Sequence, residues 1–223
     1  MATSEPIRRT AAALFRLTCR PQVRGLENVP AQGPFILASN HLSFFDSPIL
    51  QALCPRPVHF FAKAEYFTGT GVRGRAQRLF FESVGSIPVC RGEQAEAVAA
   101  LDALVELLEA GQGVGIYPEG TRSRDGRLYR GRTGAAWLSL TTGAPVVPVG
   151  VTGTERLQPP GTSGFRTHRF TVTAGEPLHF GHPGRRHSLP QRREATEAIM
   201  AAIAALSGQE RVDTYNAAPA RRG

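Results

Sequence analysis

The sequence predicts an α/β domain with a central, mostly parallel (mixed) sheet flanked by helices and preceded by an N-terminal amphipathic helix. Two features of the chain lead to this prediction. Helix-like and strand-like segments alternate along most of its 223 residues, a pattern typical of layered domains built on a parallel sheet. The strand-like segments are short apolar runs such as residues 35–39 (FILAS), and such runs are typical of strands buried on both faces.

The first predicted element is an amphipathic helix in residues 1–20. Its apolar face and its arginines suit a membrane interface and a helix packed on the domain equally well. The apolar positions are Ile7, Ala11, Leu14 and Phe15, and the basic positions are Arg8, Arg9, Arg16 and Arg20. No apolar run reaches the roughly 18 residues of a membrane span, and the run in this segment is too short for a secretory signal.

The domain itself is expected at residues 21–206, where turn residues separate the segments in order. Strands are predicted at 35–39, 57–63, 86–89, 113–117, 144–153 and 169–180. Helices are predicted at 47–54, 71–85, 93–111, 132–143 and 194–206. The clearest helix is 93–111, since its apolar residues recur at helical spacing. The remaining polar segment, 207–223, is predicted to fray.

Polar side chains follow several of the predicted strands directly. They are His41 and Asp46 after the first strand, Lys63 at the end of the second, Arg91 after the third and residues 119–122 after the fourth. Active sites in open α/β sheets gather at the carboxyl ends of the strands. We therefore expect these side chains to belong to one site.

The segment NHLSFFDSP, residues 40–48, pairs a histidine with a carboxylate five positions later. A carboxylate that is hydrogen-bonded to one imidazole nitrogen fixes the tautomer, and the other nitrogen can then accept a proton. The sequence offers neither a GxSxG elbow nor a reactive cysteine setting. A hydroxyl of the substrate is therefore the natural nucleophile. A structural hydrogen bond within the loop is the alternative interpretation of this pair.

Three cations, Lys63, Arg91 and Arg122, lie at the predicted strand ends. A guanidinium group can bind a phosphate through two parallel hydrogen bonds. Gly120 permits the tight turn that would present Thr121 and Arg122 from one loop. If the three cations converge they form a phosphate pocket, whereas each of them alone would be a solvated surface charge.

Four sequence blocks resemble the glycerophosphate acyltransferase family, in its 1-acylglycerol-3-phosphate acyltransferase branch. NHLSFFD (40–46) matches the NHxxxxD block, GSIPVCRG (85–92) resembles the second block, YPEGTRS (117–123) matches the third with tyrosine for phenylalanine, and APVVPV (144–149) matches the fourth. The segment FFAKAEYF (60–67) resembles the lysine segment between the first two blocks. The order and spacing of the blocks make the resemblance specific over about residues 20–180.

The resemblance implies an O-acyltransferase that moves a fatty acyl group from acyl-CoA or acyl carrier protein to the hydroxyl of 1-acylglycerol-3-phosphate, giving phosphatidic acid. It implies His41 as the general base and Asp46 as its orienting partner. The implied glycerophosphate ligands are Lys63, Arg91, Glu119, Gly120, Thr121 and Arg122. No metal and no cofactor other than the thioester co-substrate is expected. The alternative is the same chemistry on another lysophospholipid, a lyso-aminolipid or a glycolipid.

The charge balance favours anionic partners, because 26 lysines and arginines stand against 18 acids, a net charge of +8. A nucleic-acid-binding module would interleave basic clusters with aromatics, but these arginines are scattered and no such partner is expected. The three cysteines are far apart and form no CxxC motif, as in proteins of a reducing compartment. We expect a cytoplasmic protein, peripheral at the inner face of the cell membrane, with a lysophospholipid, an acyl thioester and the membrane surface as partners.

Overall fold

The computed structural model describes residues 5–83, 85–89, 94–159, 162, 164–181 and 187–216. Its helices are α1 (Glu5–Cys19), α2 (Asp46–Leu53), α3 (Glu65–Thr68), α4 (Gly71–Ser83), α5 (Gln94–Glu109), α6 (Gly134–Thr142) and α7 (Leu189–Ser207). Its strands are β1 (Gln22–Arg24), β2 (Phe35–Ser39), β3 (Val58–Lys63), β4 (Ile87–Val89), β5 (Gly113–Ile116), β6 (Leu128–Tyr129), β7 (Val146–Thr152), β8 (Thr171–Ala174) and β9 (Arg211–Val212). The sequence pattern does not predict the short elements α3, β1, β6 and β9.

Seven of the described strands form one sheet, in the order β1-β8-β7-β2-β5-β3-β4. Neighbouring strands are parallel, except that β7 and β8 pair in antiparallel orientation. The predicted mostly parallel, mixed sheet is therefore confirmed. Strand β2 lies between β5 and β7, and all five of its residues are buried, as its continuous apolar sequence predicts.

Helices cover both faces of this sheet, and successive side chains of β2 point into different cores. Phe35 and Leu37 pack in the core that contains α1 and α2. Ile36 and Ala38 pack in the core that contains α5, α6 and α7. Each fully buried leucine or isoleucine contributes about 1.5–3 kcal/mol relative to an exposed one. The sheet is thereby a rigid support for the loops at its edges.

Helix α1 packs on α2 through a face that includes Arg8, one of the arginines that flank the apolar positions. Arg8 is buried, and its Nη1 donates to the carbonyl of Cys54, just after α2, at 2.9 Å. The guanidinium thereby satisfies a carbonyl group at a helix end. Leu14 and Leu17 face outward and are 58% and 78% exposed. None of the described helices is long and apolar enough to cross a membrane.

The segment after α7 packs back on the domain, so the fraying predicted from residue 207 is wrong for residues 208–216. Strand β9 pairs in parallel with β6, and the Leu128 N–H donates to the Glu210 carbonyl at 2.8 Å. Polar composition did not reveal this pairing, because it depends on a partner strand distant in sequence. Residues 217–223 lie outside the described residues.

Candidate active site

The loops that follow β2 and β5 meet at one edge of the sheet. The two strands are parallel neighbours, so their carboxyl ends point to the same edge. A backbone hydrogen bond joins the loops, in which the Ser123 N–H donates to the His41 carbonyl at 2.8 Å. The structure therefore brings the His41 loop and the predicted segment 119–122 together.

His41 and Asp46 form the hydrogen bond that the sequence predicts. The His41 Nδ1 lies 2.8 Å from the Asp46 Oδ2, and the carboxylate is fully buried whereas the imidazole is 14% exposed. The same oxygen accepts the backbone N–H groups of Leu42 and Ser43, each at 2.7 Å. One buried oxygen thus has three hydrogen-bond partners, which fix the carboxylate within the loop. With Nδ1 as the donor to Asp46, Nε2 is the nitrogen that can accept a proton.

The ring of Tyr117 lies flat against the His41 imidazole. The two ring centroids are 3.8 Å apart and the planes differ by 8°. The Tyr117 hydroxyl is 2.8 Å from the Ser47 Oγ, and burial raises the pKa of the phenol well above its usual value, so the group stays neutral. Stacking and the hydrogen bond together restrict the rotation of the imidazole. The sequence showed an aromatic residue at this strand end, but the stack depends on how the two loops are placed.

Glu119 connects the two loops through their backbones. Its Oε1 accepts the His41 N–H at 3.3 Å and its Oε2 accepts the Tyr129 N–H at 3.0 Å. Glu119 is buried, with 1% of its surface exposed. Burial raises the pKa of its carboxyl to about 7, against the two backbone donors, which lower it. Both carboxylate oxygens of Glu119 therefore hold backbone groups of the two loops. The resemblance implied contact of Glu119 with the glycerophosphate, whereas the hydrogen bonds in the structure give it a role in positioning the loop of His41.

Gly120, Thr121 and Arg122 form the turn that follows. Gly120 has a positive φ of 75°, which a residue with a side chain adopts at a cost, and its N–H donates to the Tyr117 carbonyl at 2.9 Å. Thr121 is half-buried and Arg122 is exposed. The guanidinium of Arg122 is therefore accessible to an anionic ligand at this edge of the sheet.

Of the two other predicted cations, the structure describes the backbone position of Lys63 but not Arg91. Lys63 is the last residue of β3, which is a parallel neighbour of β5, so its backbone lies at the same sheet edge. Arg91 lies outside the described residues. The convergence of the three cations on one phosphate stays a prediction.

Asn40 is a site residue for which the sequence predicts no role of its own. It is fully buried, its Nδ2 donates to the Val151 carbonyl at 2.8 Å and its Oδ1 accepts the Val151 N–H at 2.7 Å. Val151 belongs to β7, the neighbour of β2. The side chain thus continues the pairing of β2 with β7 past the end of β2, and it fixes the backbone directly before His41.

Comparison with known proteins gives consistent similarities. The profile of a family described as Acyltransferase matches residues 20–152. A chloroplastic 1-acyl-sn-glycerol-3-phosphate acyltransferase, BAT2 from Brassica napus, is 35% identical over 150 residues, which cover 67% of this chain and 42% of that protein. The 1-acyl-sn-glycerol-3-phosphate acyltransferase of Bacillus subtilis (strain 168) is 30% identical over 179 residues, covering 78% of this chain and 83% of that protein.

A solved structure shares the fold over most of the chain. The crystal structure of the 1-acyl-sn-glycerophosphate (LPA) acyltransferase PlsC from Thermotoga maritima superposes with a TM-score of 0.66 and 25% sequence identity. The match covers 92% of this chain and 83% of that one. The chain spans less than half of the length of the plant relatives that it matches.

Proposed function

The chain belongs to the acyltransferase family, and on this premise we propose that it transfers a fatty acyl group from an acyl thioester to the free hydroxyl of a 1-acylglycerol-3-phosphate. The product would be phosphatidic acid. The observation that carries the proposal is the 2.8 Å hydrogen bond between His41 and a fully buried Asp46 at the edge of the sheet. The names of the relatives from Brassica napus and Bacillus subtilis support this choice of acceptor.

The proposed reaction uses His41 as a general base. Its Nε2 takes the proton from the acceptor hydroxyl as the oxygen attacks the thioester carbonyl carbon. The new C–O bond gives a tetrahedral intermediate, while the Asp46 carboxylate stabilises the imidazolium through Nδ1. The intermediate then collapses, the C–S bond breaks, and the sulfur leaves as a thiol with the proton from the imidazolium.

The donor in this proposal is acyl-CoA or acyl carrier protein, since both present the acyl group as a thioester. A thiol is a good leaving group, and the hydroxyl of the acceptor is the nucleophile. The scheme therefore uses neither a metal ion nor an acyl group bound to the protein, and its only co-substrate is the thioester.

The proposed head-group site lies beside this base. The exposed guanidinium of Arg122 can bind the phosphate in a bidentate manner, and the turn at Gly120 and Thr121 presents further polar groups. We assign Lys63 and Arg91 to the same phosphate, as the sequence predicts. Glu119 would contribute indirectly, by joining the two loops.

Turnover with a panel of acceptors tests the proposal. The purified chain, given acyl-CoA or acyl carrier protein thioester, should acylate 1-acylglycerol-3-phosphate faster than acceptors without a phosphomonoester. Arg122→Ala should raise the KM for that acceptor roughly 10–100-fold, as expected when a hydrogen bond of about 1.5–3 kcal/mol to a charged group is lost. Arg24→Ala, an exposed arginine on the edge strand β1, is the matched control and should leave the KM unchanged.

Two results of this panel would contradict parts of the proposal. Faster turnover of a lyso-aminolipid or a glycolipid would keep the acyl transfer but replace the acceptor. A lack of acyl transfer to every acceptor in the panel would exclude the function.

We further propose that the protein works as a peripheral protein at the inner face of the cell membrane, where its lipid acceptor lies. The outward-facing Leu14 and Leu17 of α1 can enter the interfacial region of a bilayer. The net charge of +8 favours anionic lipid surfaces.

Sedimentation with vesicles of phosphatidylglycerol and phosphatidylcholine tests this surface. Replacing both Leu14 and Leu17 by glutamate should weaken vesicle binding by about tenfold or more, because the burial of two leucines in the interface is lost. Leu189→Glu is the control, since Leu189 is 73% exposed at the start of α7 on the opposite face of the sheet. Equal binding of both variants and the unchanged protein would remove α1 from the membrane contact.

A further inference from the structure

We propose that Gln209 is a positioning residue that clamps the two active-site loops together from the C-terminal side. The expected effect of Gln209 on the reaction rate rests on the proposed function. Its effect on the two loops rests only on the hydrogen bonds that its side chain makes. Residue 209 lies beyond the stretch 20–152 that matches the family profile. The blocks that define the site therefore do not include this residue.

The chain reverses after α7 to place Gln209 over the site. Gly208 ends the helix with a positive φ of 69°, and its N–H donates to the Ala204 carbonyl at 2.8 Å. This left-handed cap turns the chain away from the helix axis. The side chain of Gln209 then lies half-buried between the loop after β2 and the loop after β5.

Both ends of the Gln209 amide are used, and they reach different loops. The Oε1 accepts a hydrogen bond from the Asn40 Nδ2 at 2.7 Å. The Nε2 donates to the Gly126 carbonyl at 2.7 Å. One side chain thus links the residue directly before His41 with the loop that carries Arg122.

The contact with Asn40 completes the hydrogen bonds of a buried amide. The Asn40 Nδ2 donates to both the Val151 carbonyl and the Gln209 Oε1, while its Oδ1 accepts from Val151. A buried amide that loses one partner carries a desolvation penalty. Removal of Gln209 would loosen Asn40, and with it the backbone that orients the imidazole of His41.

The same C-terminal segment also contacts the turn that carries the proposed phosphate ligand. The Asn216 Nδ2 donates to the Arg122 carbonyl at 3.1 Å. The ring of Tyr215 lies under the guanidinium groups of Arg130 and Arg132, each 5.4 Å from the ring centroid. Residues 209–216 therefore contact both loops, and Gln209 is the residue of this segment that is hydrogen-bonded to the residue directly before His41.

Kinetics of Gln209→Ala and Gln209→Leu test the clamp. In both variants kcat should fall by about tenfold, while the KM for the acyl thioester should stay unchanged. The loss should not exceed roughly 10²-fold, the cost of a misplaced reacting group. Gln209→Leu keeps most of the volume but no hydrogen bond, so it should be as slow as Gln209→Ala. Gln112→Ala, an exposed glutamine before β5, is the control and should turn over normally. Recovery of the rate in Gln209→Leu would overturn the proposal, because packing alone would then suffice.

Amide hydrogen exchange gives a second readout that does not depend on activity. In Gln209→Ala, exchange should become faster in peptides covering residues 40–46 and 119–130, and remain unchanged in α5. This result would support the clamp even if no acceptor is acylated, in which case only the proposed function fails. Unchanged exchange in both loops would overturn the clamp, whatever the activity of the unaltered protein.

Discussion

Replacing His41 by alanine should lower kcat by roughly 10²–10⁴-fold, the usual contribution of a general base. The hydroxyl of the acceptor is a weak nucleophile until its proton is removed, and His41 is the group that the buried Asp46 orients for this step. The KM values for both substrates should change little, because the imidazole acts on the reacting hydroxyl rather than on the phosphate. The release of thiol from the acyl thioester, followed in the presence of acceptor, measures the loss.

The control for this variant is His179→Ala, since His179 is an exposed histidine outside the two loops. Its turnover and melting temperature should match those of the unaltered protein. Near-normal turnover of a folded His41→Ala protein would remove general-base catalysis from the mechanism.

Replacing Asp46 by asparagine should lower kcat by roughly 10²–10⁴-fold, because comparable losses follow when a histidine loses its buried carboxylate. The amide has nearly the same shape, but it carries no charge to stabilise the imidazolium. It also leaves the His41 tautomer unfixed. The three hydrogen bonds that Asp46 Oδ2 accepts lose their charge assistance, so the melting temperature should fall as well.

Thermal unfolding separates the catalytic loss from a loss of folded protein, and rates are compared per folded molecule. Asp102→Asn, at an exposed position on α5, is the matched control and should change neither kcat nor melting temperature. If Asp46→Asn turns over normally, the hydrogen bond between Asp46 and His41 is only a structural feature of the loop.

The architecture was predictable from the sequence because each central strand is a continuous apolar run and each long helix has an apolar face. The run at β2 is the clearest case, since all of its residues are buried between β5 and β7. The short strands β1, β6 and β9 were not predicted, because their sequences QVR, LY and RV contain no apolar run like the IPV of β4. Their existence depends on partner strands that are distant in the sequence.

The pairing of His41 with Asp46 was predictable because one short loop carries both residues. The position of Glu119 was not, since the sequence does not reveal whether a loop carboxylate faces a ligand or two backbone N–H groups. Gln209 was hidden for a similar reason. Gln209 reaches Asn40 because the chain turns after α7 and β9 then pairs with β6. The polar sequence around Gln209 does not predict this pairing.

The claim that His41 and Asp46 act as one unit is tested most directly by combining both substitutions. Groups that work together in catalysis are strongly non-additive when they are removed. The protein with both His41→Ala and Asp46→Asn should therefore turn over no more slowly than His41→Ala alone. If the losses of the two single variants multiply in the double variant, the carboxylate acts independently of the imidazole and this account of the site is wrong.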